Sequence, residues 1–546
     1  MSKPIETSVV IVGGSIVGLA NALFLAQRRV PFILLERHTG SAIHPRAIGY
    51  TTRTIEILRT LGIDKELPKL PPGVDGKPRR VRAKTLNGEW TEETHWTKTK
   101  PTVHGARQVG PQGKPTGAQK RGPPDYASLS PVQGTAIAQD KLEPIIRNKA
   151  LELGADLRLG FTMTDWSQDT NGVSVTATQP TGETSSIKAK YMIACDGSES
   201  RIRNDLGIVT TGVGYMRTLH STLFRSPSID HYLSKGVHQW ELKDGDFEAF
   251  LVTYSDGRWA LMSQNPEQDT LDIDGQKALI RKAVGEDISD IELLAQGNWT
   301  LGGSIAEKFS SGRVLLAGDA AHALPPNRGG YGANTGIADA HNLAWKLQAV
   351  LSGKSDVSLL DTYDQERRQV ALVRHDQIFS RDDYKPYVVG TEWEKTHASV
   401  PIIDDIAMEL GQIYRSSAVV GSEDKSLPDA QTPGQWKGQP GTRAPHIKLT
   451  RDGTEISSLD LLCQGWVILS KDESWKSRAA AVSDVDFVLI SGDVAEVVDG
   501  SFIDAFGLEA TGAVLVRPDG HIAARWITTS SVDEFCNIFR RVTHSQ

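Results

Sequence analysis

Apolar residues fall into two recurring patterns along this chain of 546 residues. Near the N-terminus, SVVIV is a continuous β-branched run, GLANALFLAQRR places apolar residues at helical spacing, and VPFILLE is a second continuous run. Short continuous runs indicate strands buried on both faces, so residues 7–36 are predicted to form a β-α-β unit. A helix is predicted from Thr135 to Leu153, with Asp140 and Glu143 near its start, then strands in SVTATQ and AKYMIACDG. Between 208 and 300 the segments STLFRS, FEAFLVTYS and RWALMSQ alternate, which predicts an antiparallel sheet. Two helices are predicted between 335 and 383; the first, NTGIADAHNLAWKLQAVL, is stopped by Gly353. From about 441, GWVILS, VDFVLIS, GAVLVRPDG and HIAARW read as strands and SSVDEFCNIFRRV as a terminal helix. That alternation predicts a small α/β domain with a mixed sheet.

The chain is too long for one hydrophobic core. The expected class is α/β, with a discontinuous Rossmann-like domain over 1–80, 130–207 and 301–385. An antiparallel-sheet substrate lobe is expected over 81–129 and 208–300, a linker over 386–440, and a further domain over 441–546. Within 90–128, QVGPQGKPTGAQKRGPPD is nearly devoid of apolar residues and reads as a long surface loop.

Composition narrows the partners. A hydrophobic share of 39% and a charged share of 23% are ordinary for a soluble globular protein. The net charge of −7 argues against nucleic acid, which needs a basic face. No apolar run reaches the ~18 residues of a membrane span. The N-terminus leads directly into a strand, so no signal peptide is expected. Cys195, Cys463 and Cys536 form no CxxC pair and no metal cluster, as expected of reduced thiols in a cytoplasmic protein without a metal.

Two segments carry the chemistry. Val12-Gly13-Gly14-Ser15-Ile16-Val17-Gly18 fits G-x-G-x-x-G with Ser15 at the second glycine. Gly13 permits the tight turn, the middle position lets backbone approach a pyrophosphate, and Gly18 allows close helix–strand packing. The helix N-terminus adds free N–H groups. Glu36 ends the second strand, where a carboxylate accepts from an adenosine ribose; Glu36 and the adjoining Arg37 are candidate cofactor contacts. The second segment is GRVLLAGDAAH (312–322), followed by LPPNRGGYGANTGIADAHNLAWKL. Its strand delivers Gly318 and Asp319, and Asp319 suits a sugar-like hydroxyl such as a flavin ribityl. Pro326, Gly330, Gly332 and Asn334 lie in the loop and helix start that would meet a flat ring, and the helix end would stabilise charge on a reduced flavin.

Together these segments resemble the class A flavoprotein aromatic hydroxylases, the para-hydroxybenzoate hydroxylase-like group, over about residues 6–385. The resemblance implies FAD as cofactor. It places Asp196, in Cys195-Asp196-Gly197-Ser198, near both FAD and the nicotinamide, Arg46 near the flavin, and Gln139 against FAD. LLDTYDQERR (359–368) is similar to the helix start that follows the second flavin segment in relatives. Residues 441–546 resemble the thioredoxin-like C-terminal extension of phenol and polyketide hydroxylases, and without CxxC a structural or subunit-contact role is expected, with a homodimer as a candidate assembly. Three departures stand out: Ser15 replaces a glycine, PPNRGGYGAN is one residue longer than the usual motif, and Ile48 stands where phenol hydroxylases carry a base aspartate.

The implied reaction has NAD(P)H reduce FAD, and O₂ then form a C4a-hydroperoxyflavin that hydroxylates a phenolic or polycyclic, polyketide-like ring. Candidate catalytic residues are Tyr215 and His220, and candidate substrate contacts are Tyr50, Trp240, Tyr254 and Trp259. His44 reads as a turn residue. Baeyer–Villiger-type insertion on the same scaffold, and a non-enzymatic flavin or aromatic-metabolite binder, are the alternatives.

Overall fold

The structure is a computed structural model that describes residues 3–44, 46–69, 80–92, 126–235, 237–254, 256–326, 330–382, 384–462 and 464–545. The basic stretch 108–125, residues 327–329 of the lengthened motif and Cys463 lie outside them.

The N-terminal β-α-β unit forms as expected. Strand Ile5–Val12 pairs in parallel with Phe32–Glu36 on one side and Thr184–Ala194 on the other, and the sheet continues to Val314–Leu316 and Asp156–Leu159. Helix Ile16–Gln27 connects the first two strands and is buried along nearly its whole length. It packs against helices Gln139–Glu152 and Tyr331–Leu351, so it needs no polar face. The expected helix from Thr135 starts four positions later, because Thr135–Ala136 pairs with Gly49–Tyr50 as a short strand.

A second sheet of eight strands is antiparallel except where Arg80–Ala83 runs parallel to Gln239–Asp244. Its longest pair is Thr210–Arg225 with Glu292–Ala306, so the sheet runs past residue 300. Alternation sorts its side chains onto two faces. Trp240, Leu251, Trp259 and Leu261 pack under helix Ile273–Val284, while Val252, Ala260 and Met262 face the first sheet's loops.

One connection ties the two sheets together. After Val314–Leu316 ends in the first sheet, the chain turns through Gly318–Ala320, and His322–Ala323 pairs with Glu292–Ala306 in the second. The segment expected to touch the cofactor is therefore fixed at both ends by different sheets.

The C-terminal unit has a four-stranded mixed sheet, Val485–Leu489, Trp466–Ser470, Ala513–Val516 and Ile522–Trp526, and ends in helix Val532–Thr543. It meets helix Asp361–Phe379 through a layer of buried charge. Glu366 accepts from Arg517 at 2.6 and 2.9 Å, from Lys346 at 2.8 Å and from Ser416 at 2.6 Å. Burial would raise the Glu366 carboxyl, but Arg517 and Lys346 outweigh it and hold it below the usual carboxylate range. Burial also pulls the Lys346 ammonium down to about 8, against the opposing pull of Glu366. Breaking a buried pair leaves uncompensated charge, so Glu366→Gln is expected to cost about 3–5 kcal/mol in denaturant unfolding. A loss below about 1 kcal/mol, the range of exposed pairs, would contradict this reading.

Candidate functional site

The glycine turn closes on its neighbours as the motif requires. Gly13 has φ of +102°, and a Cβ there would stand 2.3 Å from the Cys195 carbonyl oxygen. A Cβ on Gly18 would lie 1.8 Å from the Gly13 carbonyl oxygen. Ser15 is accommodated by partners far along the chain. Its hydroxyl donates to Glu143 at 2.8 Å and accepts from Gln139 Nε2 at 2.8 Å. The hydroxymethyl group is thus engaged by helix Gln139–Glu152. Gln139 also accepts from the Ala47 amide at 3.2 Å, which couples the Arg46 segment to the same cluster. Glu36 accepts from the Gly14 amide at 2.6 Å and the His38 amide at 2.8 Å, bracing the turn. Arg37 is exposed and contacts His38. Asp196 accepts from the Ile202 amide at 3.2 Å, in the first turn of the short helix Arg201–Asp205 that Ser200 caps.

The second segment is held by Asp339. This fully buried carboxylate accepts from the Gly318 amide at 3.2 Å, His322 Nε2 at 2.6 Å and Arg367 Nε at 2.7 Å. Burial would raise its carboxyl, yet His322 and Arg367 outweigh burial and bring it to about 2. The next residue, Asp319, accepts no hydrogen bond from any described residue and stands in the cavity wall. Burial raises the Asp319 carboxyl against the opposing pull of His322 and Arg46. Its open acceptor positions suit the hydroxyls of a ribityl chain.

Both segments open onto one cavity of about 1420 Å³. Single-ligand pockets run to ~1,000 Å³, so this volume accommodates a dinucleotide together with a second ligand. Among the expected cofactor contacts, Ser15, Gly18, Arg46, Gln139 and Asp319 line it, as do Pro326, Gly330 and Gly332. Asn334 does not line it. Its amide ties Thr51 and Thr54 to Gly49 and Gly330, stapling the helix start to the Arg46 segment.

The expected substrate contacts divide. Tyr50 and Tyr254 line the cavity. The Tyr50 hydroxyl is buried without a partner among the described residues, and burial, then Glu143 and Asp140, pushes it far up. Trp240 and Trp259 do not line the cavity: alternation sends them to the opposite face, ring centroids 5.6 Å apart. His220 also lies outside it, with Nδ1 at 2.6 Å from Asp269. Tyr215 is 68% exposed, lies outside the cavity wall, and among the described residues its hydroxyl meets Thr218. His44, read as a turn residue, sits 2.7 Å from the Ser221 hydroxyl and edge-on to Trp299. Ile48 belongs to the apolar wall with Leu219, Val252, Met262 and Trp299.

Comparison with known proteins agrees with this geometry. An FAD binding domain model matches residues 6–376, and an aromatic-ring hydroxylase C-terminal model matches 437–542. The chain belongs to the FAD-dependent aromatic-ring hydroxylases. It is 34% identical to 4-methyl-5-nitrocatechol 5-monooxygenase of Burkholderia sp, over 96% of each chain. It is 33% identical to tetracenomycin A2 monooxygenase-dioxygenase of Streptomyces glaucescens, over 98% of this chain and 97% of that one. The structure of aklavinone-11 hydroxylase with FAD and aklavinone superposes with a TM-score of 0.82 at 28% identity, covering 99% of this hydroxylase and all of that chain. The hydroxylase is therefore an FAD-binding enzyme. Among its described residues, no helix is long and apolar enough to cross a membrane.

Two outcomes follow. Gly18→Val drives side-chain atoms into the turn, and the purified variant is expected to retain less than about a tenth of the wild-type flavin; flavin absorbance per chain checks this. Asp339, with a folded value of about 2 against ~3.9 unfolded, contributes stability present above pH ~4 and lost as pH falls toward 2. The stability gap between wild type and Asp339→Asn is expected to shrink over that window in denaturant titrations; a gap independent of pH would contradict it.

Proposed function

We propose that this hydroxylase is a monooxygenase that takes electrons from NAD(P)H and inserts one atom of O₂ into a phenolic or polycyclic aromatic ring. The observation that carries the reading is the continuity of the cavity. It runs from the Ser15–Gly18 turn, past Asp319, along a sheet face lined by Leu219, Phe250, Val252, Met262 and Trp299. Such a wall suits a flat ring. The relatives named for nitrocatechol, tetracenomycin and aklavinone support the same substrate class.

FAD, when bound, supplies the electron transfer and oxygen activation that side chains lack. The chain's own residues bind, orient and exclude water. The Gly13–Gly18 turn and the helix behind it receive the pyrophosphate, and Asp319 takes the ribityl hydroxyls. The N-terminus of helix Tyr331–Leu351 meets the cavity through Tyr331, Gly332 and Ala333, where its partial positive charge favours an electron-rich ring. Arg258 joins the two halves: it donates to Asp140 at 2.9 and 3.1 Å and also pairs with Asp256, which sets the second sheet against helix Gln139–Glu152. The apolar wall limits water beside the reacting ring. No second glycine fingerprint is present in the sequence for NAD(P)H, in keeping with transient docking.

The test joins anaerobic stopped-flow reduction by NADH and NADPH, across a panel of catechols and polycyclic phenols, with product analysis under ¹⁸O₂. Ligand-stimulated flavin reduction and one ¹⁸O atom in a ring hydroxyl are expected. Absence of reduction under every condition would overturn the enzyme reading, and ¹⁸O in an ester or lactone would replace hydroxylation by insertion beside a ketone.

A further inference from the structure

Pairing between strands Thr210–Arg225 and Glu292–Ala306 shifts register between Tyr215 and Arg217, which oppose Gly302 and Leu301. Such a bulge re-aims side chains. Without it, positions 215, 217 and 219 would share a face. With it, Tyr215 points to solvent while Arg217 joins Leu219 in the cavity wall.

Arg217 is half-buried, and its Nε is shielded from solvent with no partner. Among the described residues its guanidinium makes neither a hydrogen bond nor an ion pair; its neighbour is the Tyr387 ring, 5.3 Å from Cζ to centroid. Three other arginines near the cavity are engaged, Arg258 by Asp140 and Asp256, Arg374 by Gln412 and Thr335, Arg381 by Asp405, whereas Arg46 in the cavity wall is exposed to solvent. Three acidic groups on the cavity wall are paired, Glu241 with Arg82, Glu248 with Lys243 and Asp405 with Arg381, while Asp319 keeps its oxygens open. Among the described residues, Arg217 is a half-buried cation of the cavity wall without a counter-ion.

Withdrawing a guanidinium from water is unfavourable unless its five N–H donors are satisfied. Stacking on Tyr387 engages the face of the group and leaves the in-plane donors. Those donors match the two oxygens of a carboxylate. Leu219 on the same strand and Leu301 opposite present apolar surface on either side. We propose that Arg217 is a specificity-determining residue that selects aromatic substrates carrying a ring carboxylate. The proposal rests on the monooxygenase reading for the aromatic character of the ligand.

Two probes that differ only in that group test it: 1-hydroxy-2-naphthoate and 1-naphthol, each titrated at pH 7 into the FAD-loaded enzyme without nicotinamide, with binding read from the flavin spectrum. Wild type is expected to bind the naphthoate at least about tenfold more tightly, the scale of a charge-assisted hydrogen bond. Arg217→Met is expected to abolish that preference while binding 1-naphthol within about twofold of wild type, and Arg217→Lys to restore part of it. No preference in wild type, or a preference that survives in Arg217→Met, overturns the proposal. A separate reduction assay in which Arg217→Met alters only NADPH-over-NADH selectivity also overturns it, assigning the guanidinium to a nicotinamide phosphate. Because binding is read without nicotinamide, failure of flavin reduction would sink the monooxygenase reading and leave the carboxylate preference standing.

Discussion

Three donors converge on the Asp339 carboxylate, and the site depends on that convergence. The Gly318 amide, His322 and Arg367 come from a sheet end, a sheet start and a neighbouring helix. The turn between the two sheets has little apolar surface of its own, so packing alone would not define it. A buried carboxylate with several short charge-assisted bonds defines it well. Asp319 is thereby presented to the cavity with its oxygens open.

The same helix pair extends this constraint to the C-terminal unit. Arg367 donates to the Tyr414 hydroxyl at 2.8 Å, Tyr414 stacks on His521 at 4.0 Å, and Glu366, one residue away, receives Arg517. A contiguous buried polar layer therefore runs from the flavin-side turn to a domain that lacks any CxxC pair of its own. The C-terminal domain thereby contacts the two helices that carry Asp339 and Arg367.

Much of the first sheet was legible in the sequence because its strands are buried on both faces and its turn needs glycine for steric reasons that are local. The Asp319 segment was legible for the same reason. What escaped were features set by distant partners. Ser15 looked like an imperfection until Glu143 and Gln139 were found to engage it. Trp240 and Trp259 were expected at the substrate, but which face of an alternating strand meets the cavity depends on what packs behind it, here helix Ile273–Val284. Tyr215 was expected in the site, and the bulge that turns it outward leaves no mark in the pattern of residues. Asn334 was expected to touch the cofactor, yet its amide is consumed in joining two loops.

A crystal structure of the FAD-loaded enzyme tests the central claim most directly. The account predicts pyrophosphate oxygens on the Gly13–Gly18 turn and a ribityl hydroxyl within hydrogen-bond distance of Asp319, with Asp339 still bonded to Gly318, His322 and Arg367. A flavin whose ribityl chain lies away from Asp319, or a turn that has left Asp339, would contradict it.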